Sequence, residues 1–154
     1  MTRPYITQAR LDHVYDLAPN MREADVIELW SAESAGPLRG LMRAYRASSH
    51  CWVTMVNGSV QCMFGLIPFS LAGGSGVIWM LGSDLIHRHW LGFLRCHIEI
   101  MPRILSPYPH LFNYVAADNN ATIKWLEWMG AEFQPAAAYG DHGRQFRRFD
   151  IRSK

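Results

Sequence analysis

The stretch from Val115 to Ala131 constrains the fold of this chain most, because it reads as the end of a buried strand followed by a capped helix. Leu111–Ala116 is a continuous β-compatible run, and the polar residues at 118–120 carry side-chain oxygens that can accept hydrogen bonds from the first free N–H groups of a helix. The next residues recur at the spacing of one helix face: Thr122, Trp125, Leu126 and Met129. Gly130 follows, at a position where helices commonly end. The stretch predicts a β-α unit, which many α/β proteins share.

The N-terminal third has the pattern of one strand followed by two helices. Pro4–Arg10 predicts the first strand. Asn20 and Glu23 have the spacing of a helix cap and the third helical residue, which predicts a helix that continues through Trp30. Pro37 suits the first turn of the next helix, because proline lacks only an N–H that would be free there in any case.

Asn57-Gly58 is the strongest turn signal in the chain. Both central residues of a type I′ turn need a positive φ, and Asn and Gly adopt one more readily than other residues. The dipeptide therefore predicts a hairpin between Cys51–Val56 and Ser59–Ile67, with Val53 opposite Cys62.

The remaining patterns alternate between strand and helix. A Gly-rich loop, Leu71–Gly76, precedes a strand at Val77–Leu81, and a helix is predicted for His87–Ile104. Phe133–Ala138 and Gln145–Ile151 predict a terminal pair of strands. Together the patterns predict an α/β protein with a mixed sheet and the order β-α-α-β-β-β-α-β-α-β-β.

Composition and charge narrow the class of protein. The 154 residues are 49% hydrophobic, which fits one domain, residues 1–154, with a substantial core. The net charge is +2, and the C-terminal arginines form no stripe along a helix, so nucleic-acid binding is not favoured. An odd number of cysteines without C-x-x-C spacing leads us to expect a cytoplasmic protein without disulfides. No apolar run approaches the roughly 18 residues of a membrane-spanning helix.

The β-α unit also carries a resemblance to a known family. Asn119, Thr122 and Gly130 occupy the places of an Asn-x-x-(small)-x-x-x-x-x-x-x-Gly segment that is typical of GNAT-type N-acetyltransferases. With the runs Ser59–Asp84 and Leu111–Asn119, the chain resembles the small GNAT-like family of tailed bacteriophages, which includes the internal virion protein A of short-tailed phages. The resemblance spans nearly the whole chain and implies the GNAT acyltransferase fold.

The resemblance implies acetyl-CoA or CoA as the cofactor. In that fold the fourth and fifth strands splay apart, and the pantetheine arm lies in the resulting V. Here it would add hydrogen bonds along Trp79, Met80 and Leu81, near Asn119.

The family's pyrophosphate loop reads Arg/Gln-x-x-Gly-x-Gly/Ala, and this chain departs from it. The segment His89–Leu94 keeps one glycine, Gly92, and has leucine at the last small position. The resemblance still implies that the pyrophosphate would lie near His87, Arg88 and His89, whose side chains carry or can acquire positive charge.

The expected catalytic groups are replaced. Many family members use a Tyr seven residues after the Asn to protonate the leaving thiolate, and Leu126 stands there in this chain. Many also place an acid beside the fourth strand to deprotonate the amine, whereas 76–82 contains none. Asp84 and Tyr114 are the nearest acid and phenol, and they are the predicted catalytic residues.

Two functions stay open from the sequence. One is a phage acetyltransferase that modifies an amine of a host protein or a small molecule. The other is an inactive binding module, either inside the virion or docked on a host protein, whose V is plugged by Trp79, Trp90 or Leu94. A metal site is not favoured, because His87 and His89 point in different directions on a helix. A Ser-His-Asp hydrolase is not favoured either, since the chain lacks a G-x-S-x-G elbow.

Overall fold

The computed structural model describes residues 3–70 and 72–153, so Leu71 of the predicted Gly-rich loop lies outside the described residues. The strands are β1 (Tyr5–Gln8), β2 (His50–Val56), β3 (Ser59–Ser70), β4 (Ser75–Gly82), β5 (His110–Ala116), β6 (Glu132–Phe133), β7 (Ala137–Tyr139) and β8 (Arg144–Arg152). The helices are α1 (Leu11–Leu17), α2 (Glu23–Glu33), α3 (Pro37–Ala47), α4 (Leu85–Arg88), α5 (Trp90–Leu105) and α6 (Asn120–Trp128), with a 3₁₀ turn at Ala18–Asn20.

The strands form one mixed eight-stranded sheet, as predicted for the α/β class. Its order is β1-β2-β3-β4-β5-β8-β6, and β7 also pairs with β8. Every pair is antiparallel except β4 and β5, which run parallel and pair only through Ser75–Val77 and His110–Phe112. The parallel pair is joined by the crossover helix α5, the connection that parallel strands require.

Helices cover the two faces of the sheet, and each face has its own apolar core. Phe93 of α5 and Trp125 of α6 belong to the core on one face, together with Ile78 of β4. Leu17 of α1 belongs to the core on the other face, together with Trp79 of β4. Ile78 and Trp79 take opposite faces because successive side chains of a strand alternate. None of the helices within the described ranges has the length and apolarity to cross a membrane.

The two strongest local predictions are confirmed. Asn119 is the N-cap of α6, and its side-chain oxygen accepts a hydrogen bond from the N–H of Thr122. Gly130 after the helix has a φ of 83°. Asn57 and Gly58 have φ values of 52° and 76° and join β2 to β3 in a two-residue turn.

The register of this hairpin differs by one residue from the prediction. Val53 lies opposite Met63, and Cys62 lies opposite Thr54, because the register shifts between Thr54 and Met55. The shift leaves Gln61 as the additional residue on β3, where its carbonyl accepts a hydrogen bond from the N–H of Ser83. The turn signal sets where a hairpin bends but does not reveal a bulge that a third segment stabilises.

Two helix predictions are wrong in their boundaries. Asn20 and Glu23 do not cap α2: Glu23 is its first residue, and Arg22, held by a hydrogen bond from its N–H to the carbonyl of Gly82, is the N-cap. The helix predicted for 87–104 is two helices, because His89, with φ −123° and ψ 40°, interrupts it. The strand predicted for 133–138 is likewise divided into β6 and β7.

Phe93 tests how much the core under the sheet contributes to stability. Its side chain is fully buried and contacts the rings of His97 and Trp125. We expect Phe93→Ala to lower the free energy of unfolding by about 3–5 kcal/mol in urea titrations, because it leaves a cavity. Leu91→Ala on the exposed side of the same helix is the matched control, with an expected change below about 0.5 kcal/mol. Equal effects of the two substitutions would contradict this placement of α5.

Candidate functional site between strands β4 and β5

The β4 and β5 strands separate after Val77 and Phe112, and Asn113 lies at the fork. Its Nδ2 donates a 2.7 Å hydrogen bond to the carbonyl of Ile78, and its Oδ1 accepts one of 2.7 Å from the N–H of Tyr114. Where β4 and β5 no longer pair, the Asn113 side chain thus supplies the hydrogen bonds that the neighbouring strand would otherwise make to Ile78 and Tyr114. Beyond it the strands enclose a V-shaped cleft with a volume of about 410 Å³.

The cleft is lined from both faces of the sheet. Helices α2 and α3 contribute Glu28, Leu29 and Arg43, and α6 contributes Thr122, Trp125 and Leu126. The far wall consists of aromatic residues of β5, β7 and β8: Phe112, Tyr114, Tyr139, Phe146 and Phe149. The cleft is therefore mainly apolar, with a small number of polar groups at defined positions, which is the composition of a typical ligand site.

Two acids of α2, Glu28 and Glu33, line the cleft, and Glu28 is hydrogen-bonded to its wall. Its Oε1 accepts hydrogen bonds from the N–H of Ala116, at 2.8 Å, and from Nδ2 of Asn119, at 3.1 Å. Burial raises the pKa of the Glu28 carboxyl, and these two hydrogen bonds offset only part of that rise. The carboxylate therefore lies at the open edge of β5 and contacts the cap residue of α6.

A buried ion pair spans the wide end of the V. Arg22 Nε and Asp25 Oδ2 are 2.7 Å apart, and only 4% and 2% of their side chains are exposed. Asp25 accepts a hydrogen bond from the N–H of Gly82, and Arg22 donates one of 2.9 Å to Thr122 Oγ1. The pair therefore connects the end of β4 to the first turn of α6.

The predicted cofactor residues on β4 differ in how they face the cleft. The backbone groups of Ile78 and Gly82 point toward the β5 side of the strand. Because alternate residues of a strand direct their N–H and carbonyl groups to the same side, those of Met80 also point there. Trp79 and Leu81 direct theirs to β3 instead. The Trp79 ring is held by a hydrogen bond from Nε1 to Ser48, and it lines the cleft without spanning it.

The predicted catalytic residues do not lie together. Tyr114 lines the cleft and stacks on Tyr139, with ring centroids 3.9 Å apart. Asp84 is exposed and lies in a separate depression that also includes Arg88. His87 is exposed, and His89 is the junction between α4 and α5.

Gly92, the remaining glycine of the pyrophosphate motif, is a packing position. A Cβ at this residue would lie 2.8 Å from Cδ of Pro4. Trp90 and Leu94, the other two residues predicted to plug the V, are not among the residues that line it. Within the described residues, no group of three or more His, Cys, Asp or Glu side chains could hold a metal ion.

Sequence reasoning missed the polar residues that define the cleft. Arg22, Asp25 and Glu28 recur at i, i+3 and i+6, a spacing that places them along one side of α2. Three charged residues on the buried side of a helix are a signal for a polar site, because such side chains are rarely buried without partners. Asn113 carried no comparable signal.

Comparisons with known proteins agree with this geometry. The family model described as "Bacteriophage T7, probable scaffold protein Gp13" matches residues 58–137, just over half of the chain. The chain belongs to this phage family. No match was found among curated proteins.

Solved structures show that this Gp13-family chain has the GNAT acetyltransferase fold. It is 16% identical to the ribosomal-protein-alanine N-acetyltransferase of Brucella melitensis, with a TM-score of 0.71 over 96% of this chain and 99% of that one. It is 15% identical to the spermidine N-acetyltransferase of Vibrio cholerae in complex with CoA and spermine, with a TM-score of 0.68 over 97% and 95%. It is 14% identical to an N-acetyltransferase of Staphylococcus aureus Mu50, with a TM-score of 0.69 over 98% of this chain and 99% of that one.

The raised pKa of Glu28 predicts how stability depends on pH. The folded protein holds the proton more tightly than the unfolded chain, so the carboxyl favours folding below its ordinary pKa of 4.5 and loses that contribution as pH rises through the folded value. Glu28→Gln keeps an acceptor for Ala116 and Asn119 but cannot ionise. We expect the variant to gain stability relative to the wild type between pH 4 and pH 7.

Urea unfolding at several pH values measures this difference. Glu127→Gln, on the exposed side of α6, is the matched control and should change stability by less than about 0.5 kcal/mol at each pH. If the difference in unfolding free energy between Glu28→Gln and the wild type does not change with pH, Glu28 is not in the buried, hydrogen-bonded position described here.

Proposed function

We propose that this protein is a structural component of the phage particle that uses the GNAT fold as a scaffold, and that its cleft does not take acetyl-CoA. The hydrogen bonds across the V carry the proposal: the chain itself satisfies most of the backbone groups that a cofactor arm would use. The description of the matching family as a probable scaffold protein supports the same function.

A pantetheine arm would lie along the open edges of β4 and β5. On β4, Asn113 binds the carbonyl of Ile78, while Asp25 and Arg22 bind the N–H and carbonyl of Gly82. On β5, the N–H groups of Tyr114 and Ala116 are bound by Asn113 and Glu28. Met80 is the residue of the predicted β4 segment whose backbone is left for a ligand.

Several of the groups that would hold the pyrophosphate are also engaged. The N–H groups of Ile86, His87 and His89 donate to carbonyls of Ser83, Asp84 and Leu85 within α4 and its cap. The amide of Asn119 is bound to Glu28 and to the N–H of Thr122. With Gly92 packed on Pro4, the residues present do not fit the diphosphate of CoA.

A particle protein needs surfaces for other virion proteins, and the helices carry exposed aromatic side chains. Trp30 on α2 is 54% exposed, and Trp128 at the end of α6 is 61% exposed. Aromatic residues are enriched at protein interfaces. We further propose that the protein is in the host cytoplasm during assembly and in the virion interior afterwards, which is consistent with the description of the matching family as a probable scaffold protein.

Isothermal titration with acetyl-CoA and desulfo-CoA tests the closed cleft. We expect no saturable heat and no rise in melting temperature up to millimolar ligand, because a ligand that binds only the native state must stabilise it. The spermidine N-acetyltransferase of Vibrio cholerae, crystallised with CoA, is the positive control. Saturable micromolar binding would overturn the proposal for the cleft.

Mass spectrometry of gradient-purified particles tests the location. The protein should be present in particles, remain after protease treatment of intact capsids, and become degradable once the capsids are opened. Absence of the protein from particles and their precursors would contradict the proposed function in assembly.

Acetyl transfer to an amine of a host protein or small molecule is the second candidate, and Glu28 favours it. A carboxyl in the cleft whose pKa is raised by burial has a property that a general base needs. Transfer of labelled acetyl groups to lysate proteins by the wild type, reduced about 10²-fold or more in Glu28→Gln, would support this candidate. The titration above separates the two, since transfer requires acetyl-CoA to bind.

A further inference from the structure

We propose that Ser75, His110 and Asp150 form a nucleophilic serine site that reacts with activated carboxylic esters, at the end of the sheet away from the wide end of the V. The three side chains are hydrogen-bonded in series, and none of them lines the cleft. The site is independent of the function proposed for the cleft.

The geometry is that of a nucleophile, a base and an orienting carboxylate. Ser75 Oγ is 3.0 Å from Nδ1 of His110, and Nε2 of the same ring is 2.7 Å from Oδ1 of Asp150. A carboxylate can only accept, so Nε2 carries the proton and Nδ1 is free to accept the hydroxyl hydrogen of Ser75. The nitrogens are exchanged relative to serine proteases, but the roles of the three groups are unchanged.

Strand pairing brings these residues together. Ser75 is the parallel partner of His110 across β4 and β5, and His110 is the antiparallel partner of Arg152 across β5 and β8. Asp150 lies two residues along from Arg152 and therefore points to the same face.

Arginines keep the orienting carboxylate ionised. Partial burial works to raise the pKa of Asp150, but hydrogen bonds from Arg148 and His110 outweigh it and the pKa is lowered. Arg148 Nη2 is 3.0 Å from Asp150 Oδ1, and Arg152 Nη2 is 4.0 Å from it. An ionised Asp150 stabilises the imidazolium that forms when His110 accepts a proton.

The surroundings indicate the class of ester. His110 and Asp150 keep 18% and 12% of their side chains exposed, so the site opens to solvent. Phe112 stacks on His110, and Phe69, which is 69% exposed, contacts Phe112 edge to face at 5.0 Å. An aryl or alkyl group can pack against Phe69, so small aromatic esters fit the site.

The reaction is balanced without a further reactant. Ser75 Oγ forms a bond to the ester carbonyl carbon while its proton passes to Nδ1 of His110. The bond to the leaving alcohol breaks, and that alcohol takes the proton from Nδ1. Water then releases the acid by the same path and regenerates the serine.

The chain contains a matched comparison for this site. Ser49 Oγ is also 3.0 Å from a histidine Nδ1, that of His50, but among the described hydrogen bonds and ion pairs His50 has no carboxylate partner. Ser49 is therefore a serine paired with a histidine that lacks the orienting acid. Ser49 Oγ also contacts the carbonyl of Leu66 and the hydroxyl of Tyr108, so Ser49 serves as a comparison for reactivity, and Asp150→Asn isolates the contribution of the acid.

Labelling with a fluorophosphonate probe tests the proposal on the full chain. The probe transfers its phosphonyl group to an activated serine with loss of fluoride, and peptide mass mapping should place it on Ser75. We expect Ser75→Ala to abolish labelling, Asp150→Asn to slow it about 10²-fold, and Ser49→Ala to leave it unchanged. Release of p-nitrophenol from p-nitrophenyl acetate should follow the same order.

Three outcomes would overturn the assignment: no labelling of the folded wild type, a label mapped to another residue, or equal labelling of wild type and Asp150→Asn. Thermal unfolding identifies variants that fail to fold. If Asp150→Asn is unfolded, Arg152→Gln provides a second test. It removes one of the two cations, leaves both hydrogen bonds of His110 in place, and should slow labelling measurably; an unchanged rate would count against the proposal.

Discussion

The short parallel pairing of β4 and β5 is the constraint on which the rest of this structure depends. Three residues of each strand pair, and the strands then separate inside the protein, where unpaired N–H and carbonyl groups are costly. Each open position therefore needs a partner. In this chain Asn113 supplies it at the fork, Glu28 supplies it on β5, and Arg22 with Asp25 supplies it at the end of β4.

This requirement explains why α2 carries buried charges. A buried Arg–Asp pair contributes little net stability on its own, because both ions lose their hydration. Arg22 and Asp25 have further roles, since they bind the backbone of Gly82 and the side chain of Thr122. They fix the distance between β4 and α6 at the wide end of the V between β4 and β5. The same contacts that stabilise the V also occupy most of the backbone groups at its edges.

Patterns among neighbouring residues predicted the helices and strands, whereas contacts between residues far apart in the sequence determine which side chains line the cleft. The β5-α6 unit and the Asn57-Gly58 turn depend on neighbouring residues, and both were predictable from the sequence. The bulge at Gln61 depends on Ser83, and the true start of α2 depends on Gly82, so neither has a local signal. Asp84 was predicted as the cleft acid from its proximity in sequence to β4, whereas Glu28, more than fifty residues earlier, projects into the cleft.

Burial distinguishes two of the pairs of nucleophile and histidine in this protein. Cys62 Sγ and His97 Nε2 lie 3.7 Å apart in the core, where burial raises the pKa of Cys62 to about 12 and lowers that of His97 to about 3. Both side chains are therefore neutral near pH 7, and the pair is a packing contact. Ser75 and His110 lie at the surface with an ionised acid behind the ring, so a proton transferred to the imidazole gives a stabilised ion pair. A nucleophile next to a histidine becomes reactive only where the resulting charge is stabilised, and on this sheet that condition holds at the paired ends of β4 and β5, beside Asp150.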